Sequence, residues 1–161
     1  MGWFSKKKKY LKDEMPNFIM IAGVDIIGKL RGFNDVNDNY AMAVNLGYFY
    51  GFFRMQLSCL TKLDVADEII EKSLNNLNDA ISGKISLDNF IYVVKTNYNN
   101  AFENIKRAVK SNNVITFMAQ LYLNDLYQRE ISDNDKLMVS KNNINLLYGT
   151  ALKLTDNMKI V

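Results

Sequence analysis

The chain of 161 residues contains no histidine. Histidine is the commonest metal ligand and the commonest general base in proteins. Its absence excludes Ser-His-Asp and Cys-His catalytic groups and the HExxH zinc motif. Catalysis by carboxylates, lysine or tyrosine stays open, but no pattern of these residues indicates an active site. We therefore predict a non-enzymatic protein without a catalytic residue, a metal ligand or a cofactor.

Residues that break regular structure are also scarce. The chain has 1 proline and 8 glycines, a composition that favours long helices over a turn-rich sheet protein. Cys59 is the only cysteine, so no disulfide can form within the chain. Its neighbours are leucine and serine, and this apolar setting predicts a buried thiol in a reducing cytoplasm.

No apolar run is long enough for a membrane-spanning helix, which needs about 20 apolar residues. The most apolar stretch runs from Tyr40 to Phe53, contains Asn45 and ends before Arg54. Near the N-terminus, Asp25 interrupts the apolar stretch in a way that a signal peptide would not. These features predict a cytoplasmic protein.

The net charge of +3 is concentrated at one end of the chain. Residues 1–12 hold five of the 20 basic residues, and the rest of the chain holds 15 basic and 17 acidic residues. We predict a basic, flexible tail over residues 1–12 and a single domain over residues 13–161. The tail is either a solvated end or a weak patch for anionic membrane or nucleic acid. The residues of that patch would be Trp3, Phe4, Lys6, Lys7, Lys8 and Lys9.

Apolar residues recur at helical spacing along the whole domain. The pattern predicts an all-α fold, a single compact antiparallel bundle of about six helices around a central apolar helix 2. Helix 2 also carries Gly47-x-x-x-Gly51, which would let another helix approach closely. The expected helices cover about 17–31, 36–62, 64–82, 86–110, 114–130 and 132–158.

Two short motifs resemble ligand-binding loops but lack necessary residues. The segment Gly23–Lys29 matches GxxxxGK, yet Leu30 stands where a phosphate loop needs a serine or threonine. The segment Asp35–Asn39 begins like a calcium loop, but Tyr40 replaces its glycine and Leu46 its final glutamate. We interpret the first as a chance match inside a helix and the second as a polar turn.

Four residues are candidates for contact with a partner protein. Aromatic and arginine side chains supply most of the binding energy at interfaces. Tyr50, Tyr92, Tyr127 and Arg129 fall at helix positions that could be exposed. The alternative for each of them is a half-buried place at the edge of the core.

Two residues of helix 2 are candidates for a ligand pocket. Tyr, Phe and Met side chains of helices 2 and 5 could line an apolar pocket that Tyr48 or Arg54 closes. Such a pocket would take a small apolar or anionic ligand. For Arg54 we expect, first, a salt bridge to a carboxylate of another helix or a guanidinium that reaches the surface.

These observations favour a small non-catalytic cytoplasmic protein that acts by binding another protein. Size and the lack of catalytic residues fit an inhibitor, an immunity protein or a phage or mobile-element accessory protein. The alternatives are a bundle that binds a small ligand and an adaptor that uses the N-terminal lysines. A monomer and a homodimer stay equally open, because a second copy could cover one stripe of helix 2.

Overall fold

A computed structural model describes residue 2 and residues 12–30, 32–60, 63–84 and 89–158. These residues contain helices and connecting turns, with no strand among them, and the helices pack on one another. The prediction of an all-α bundle of six helices is therefore confirmed. The helices are α1 (Met15–Ile27), α2 (Asp38–Ser58), α3 (Leu63–Ile81), α4 (Phe90–Ala108), α5 (Val114–Tyr127) and α6 (Asn134–Met158).

Helix α2 is the centre of the bundle, as predicted. It packs against each of the other five helices, most extensively against α4. Its residues from Ala43 to Arg54 are all buried, including the large rings of Tyr48, Phe49 and Tyr50. A helix that is apolar on every side is stable only when other elements surround it. Within the described ranges, no helix has both the length and the apolarity that crossing a bilayer requires.

Two glycines of α2 explain why α4 is its closest neighbour. A Cβ atom on Gly47 would lie 2.5 Å from the Asn97 Cβ atom and 2.7 Å from the Tyr98 backbone nitrogen. A Cβ atom on Gly51 would lie 3.1 Å from the Ala101 Cβ atom. The two backbones can therefore approach only because these residues lack side chains. The predicted close approach at Gly47-x-x-x-Gly51 is confirmed.

Helix α2 is shorter than the sequence predicted, and this changes the environment of the cysteine. The helix begins after Asn37, whose side-chain oxygen accepts the Tyr40 backbone N–H at 3.1 Å. It ends at Ser58, about one turn before the expected end. Cys59 therefore lies in the following turn and is exposed. The prediction of a buried thiol is wrong because the helix face that would have buried it stops one residue earlier.

The other helix ends agree with the sequence in part. Gly83 follows α3 with a φ of +76°, the left-handed conformation expected of a helix-ending glycine. Helix α3 begins at Leu63, next to the expected start at residue 64. Helix α6 begins two residues after the expected start at residue 132, and its cap is Asp133, whose Oδ1 atom accepts the N–H groups of Asp135 and Lys136. The predicted start of α4 at Ser86 lies outside the described residues.

Candidate functional site

Arg54 joins two helices of the bundle. Its side chain is 5% exposed, and its Nε atom donates to Asp67 Oδ1 on α3 at 2.7 Å. The guanidinium also lies 5.1 Å from the centre of the Phe102 ring, a cation–π contact. The predicted salt bridge to a carboxylate of another helix is confirmed. Arg54 lines neither of the two cavities named below, and closure of a pocket by Arg54 stays a prediction.

Tyr48 and Tyr50 are both fully buried in α2. The Tyr50 hydroxyl accepts a hydrogen bond from Ser73 Oγ at 2.9 Å, and burial raises the pKa of Tyr50 to about 12. The prediction that Tyr50 is an exposed anchor is wrong, because α2 has no solvent-facing side at this point. Tyr48 likewise belongs to the core and lines none of the cavities described below.

The remaining predicted anchors lie on α4 and at the C-terminal end of α5. Tyr92 on α4 is 71% exposed, as expected, and Arg129 is exposed beyond the end of α5. Tyr127 is instead held in a surface cluster: its hydroxyl donates to Asp35 Oδ1 at 2.6 Å and accepts from Lys136 Nζ at 2.9 Å. The cluster joins the α1–α2 turn to α5 and α6. The tail residues Trp3, Phe4, Lys6, Lys7, Lys8 and Lys9 lie outside the described residues.

A partly buried hydrogen-bond network joins α2, α4 and α5. The Tyr48 hydroxyl donates to Asp125 Oδ2 on α5 at 2.5 Å, and Asn104 of α4 donates to the same hydroxyl at 3.5 Å. Burial raises the pKa of the Asp125 carboxyl, and the bond from Tyr48 opposes this rise. Burial, together with the neighbouring Asp125, also raises the pKa of Tyr48. Burial is thus the largest cause of both shifts.

A second part of the network leads from the core toward the surface. The Tyr122 hydroxyl donates to Asn45 Oδ1 at 2.7 Å, and Asn143 Nδ2 donates to the Tyr122 hydroxyl at 3.5 Å. The rings of Tyr48 and Tyr122 meet edge to face, with 5.4 Å between their centres. This ring contact joins the two parts of the network, whose residues come from four helices.

We call one surface cavity the polar cleft. It encloses about 300 Å³ among the end of α1, the α1–α2 turn, α2 and α6. Asn45 and Asn143, each 6% exposed, contribute side chains to its lining. Its apolar lining includes Ile27, Phe33 and Met42. This combination of apolar walls and a few buried polar groups is typical of small-molecule sites.

We call a second cavity the apolar groove. It encloses about 530 Å³ between α1 and the C-terminal part of α3, and Met42 and Leu46 of α2 line it. On the α1 side, Ile21 is 52% exposed and Val24 is 49% exposed. On the α3 side, the groove is lined by Leu77, Ala80 and Ile81.

The two cavities lie next to each other and share Ile27 and Met42 in their linings. Neither cavity was predicted from the sequence. One signal for the groove was present, since α1 (MPNFIMIAGVDII) is apolar on more than one face. No local signal pointed to the cleft, because Asn45 and Asn143 are remote in the sequence.

The described residues contain no group of three histidine, cysteine, aspartate or glutamate side chains that could hold a metal ion. Within the part of the chain that the structure describes, Arg54 Nη1 is a buried polar atom without a hydrogen-bond partner. No known protein family, curated protein or solved structure shows significant similarity to this chain.

Proposed function

We propose that this chain is a non-catalytic cytoplasmic protein that acts by binding another protein, and that the apolar groove is the binding surface. The observation that carries the proposal is the groove itself, with Ile21 and Val24 about half exposed beside it. Apolar surface gathered in one concave place is typical of interaction sites. The cytoplasmic placement is supported by the single cysteine, which can form no disulfide within the chain.

The shape of the groove favours an amphipathic helix of the partner protein. Its two walls are helices, and its floor is a third helix, so an inserted helix would pack as helices pack in a bundle core. Partners of this kind insert apolar side chains spaced at i, i+3 or i+4, and i+7. Three or four such side chains would fill the space between Ile21, Leu46 and Ala80.

Two charged residues of the groove lining give the bound helix a direction. Asp25 lies on α1 and Lys84 lies just after α3, and both are exposed. A basic residue of the partner would pair with Asp25 and an acidic residue with Lys84. Such exposed pairs add little affinity, but they favour one orientation over its reverse.

The test begins with native mass spectrometry of the tagged full chain after gentle isolation from the lysate of its host. Any stoichiometric partner is then measured against the variants Ile21→Glu and Val24→Glu. A carboxylate in an apolar interface should weaken binding about 100-fold, where each tenfold step corresponds to about 1.4 kcal/mol. Met138→Glu is the matched control, because Met138 is 65% exposed on α6 and lines none of the cavities.

Hydrogen exchange on the complex supplies the location of the interface. We expect protection of 15–27 and of the C-terminal half of α3 when the partner binds. Full binding by Ile21→Glu, or protection confined to other helices, would contradict the proposal. If the chain forms a homodimer and both glutamate variants dissociate it, the groove binds a second copy of this chain and not a helix of another protein.

A further inference from the structure

We propose that the polar cleft is a second binding site, for a small neutral planar molecule that carries a hydrogen-bond donor beside an acceptor. A carboxamide or a nucleobase has this chemistry. The site goes beyond the proposed function, because it uses different side chains and a different class of ligand from the apolar groove.

The first argument is the hydrogen-bonding capacity of Asn45. Its Oδ1 atom accepts from the Tyr122 hydroxyl at 2.7 Å, and its Nδ2 atom donates to the Ala41 carbonyl at 2.8 Å. A carboxamide offers two donors and two acceptor positions. Asn45 therefore retains one donor and one acceptor position while it lines the cleft, and the Tyr122 and Ala41 bonds fix its orientation.

The second argument is the fixed position of this amide. Asn45 is 6% exposed and belongs to the centre of α2, so its side chain has little freedom. A buried amide that is already oriented loses little entropy when a ligand binds. A ligand with the matching donor and acceptor would form two parallel hydrogen bonds with it, as paired amides do.

The third argument is the charge and the apolar surface of the cleft. The Asp38 carboxylate belongs to its lining and repels an anionic ligand. Leu30, Phe33 and Met42 provide apolar contacts for a flat ring. A volume of about 300 Å³ is at the lower end of the range for small-molecule sites, and it therefore fits a compact ligand.

The experiment is an NMR titration of the full chain with nicotinamide, nicotinate and adenine. Nicotinamide and nicotinate have nearly the same size, but nicotinamide carries a neutral amide and nicotinate carries a negative carboxylate. We expect saturable shifts of the Asn45 and Asn143 side-chain NH₂ signals with nicotinamide, adenine or both. Nicotinate should bind at least about tenfold more weakly, since it cannot donate to Asn45 and is repelled by Asp38.

The matched variants are Ala41→Leu and Ala80→Leu. Ala41 lines the cleft and Ala80 lines the apolar groove, so both replacements add the same atoms in different cavities. Ala41→Leu should weaken nicotinamide or adenine binding about tenfold or more, and Ala80→Leu should leave it unchanged. Circular dichroism and the melting temperature show whether each variant keeps the fold.

Three outcomes would overturn the proposal. They are the absence of saturable shifts up to the solubility limit of all probes, equal binding of nicotinate and nicotinamide, and binding that a folded Ala41→Leu variant retains. If Ala41→Leu does not fold, the wild-type shifts decide alone. Shifts confined to the apolar groove would then count against the cleft, and shifts of the Asn45 amide would support it.

Discussion

Helix α5 contributes to two tyrosine–aspartate hydrogen bonds that have nearly the same length and opposite electrostatic consequences. The half-buried Asp125 accepts from the buried Tyr48 at 2.5 Å, and two residues later Tyr127 donates to the exposed Asp35 at 2.6 Å. The pKa of Asp125 is raised above its ordinary value, whereas that of Asp35 is lowered. The length of a hydrogen bond therefore does not determine which protonation state it favours.

The surroundings of the two carboxyls explain the difference. Burial is the main cause at Asp125, and it outweighs the bond from Tyr48, which by itself lowers the pKa. At Asp35 the bond from Tyr127 is the largest cause, and Lys136 at 3.3 Å adds both a second hydrogen bond and a positive charge. A carboxyl that accepts a hydrogen bond from tyrosine can therefore have a raised or a lowered pKa, depending on its burial and on a nearby cation.

The largest effect in this comparison is expected from Tyr48→Phe. The substitution keeps the ring but leaves Asp125 Oδ2 without its donor from α2. Removing one partner of a buried hydrogen bond costs about 1–3 kcal/mol. We therefore expect a clear fall in the free energy of unfolding, measured by urea denaturation at neutral pH. A loss no larger than that of Tyr127→Phe would contradict the distinction between the two sites.

The next effect concerns the pH dependence of stability. The pKa of Asp125 is raised above 3.8 in the folded state, so the unfolded chain loses this proton first as the pH rises. Asp125 thus reduces stability as the pH increases from 3.8 up to its folded pKa. We expect Asp125→Asn to abolish this decrease. The measurement is the free energy of unfolding of wild type and variant, obtained from denaturation curves at several pH values across that window.

Asp35→Asn should show the opposite sign. The pKa of Asp35 is below 3.8 in the folded state, so its contribution is complete above 3.8 and is lost as the pH falls through the folded pKa. The variant should therefore be less stable than wild type at neutral pH, and the difference should disappear in acid. Differences of the same sign for Asp35→Asn and Asp125→Asn would refute the comparison.

The smallest effects are expected at the surface cluster. Tyr127→Phe removes a hydrogen bond that water can replace, and its cost should be at most about 1 kcal/mol. Lys136→Met removes a solvent-accessible ion pair, so the loss of stability should be small and should shrink further in high salt. Urea denaturation at low and high salt measures both, and a salt-independent loss for Lys136→Met would show that packing matters more than charge.

The bundle could be predicted because its signals are local. Apolar spacing located all six helices, the glycine pair of α2 indicated its close packing, and the polar atoms of Arg54 required a partner in an apolar setting. Asp67 supplies that partner from α3. Each of these inferences needed only the chain around one element and the rule that buried polar groups are paired.

The candidate sites could not be predicted because they depend on which side of each helix faces the others. Helix α2 is apolar all round, so its pattern could not show that Tyr50 points into the core. Helix α1 has two apolar faces, and the pattern did not show that the one with Ile21 and Val24 remains exposed. The pairing of Tyr48 with Asp125 joins residues 77 positions apart, which one sequence does not reveal.

The close packing of α2 on α4 has a consequence during synthesis. About 50 residues separate the end of α2 at Ser58 from the end of α4 at Ala108. At about 5–20 residues per second, the ribosome needs roughly 3–10 s to make that segment. This helix, whose residues from Ala43 to Arg54 are all buried in the folded protein, therefore waits several seconds for its main partner. During this time its apolar side chains are accessible to other elements of the nascent chain and to chaperones.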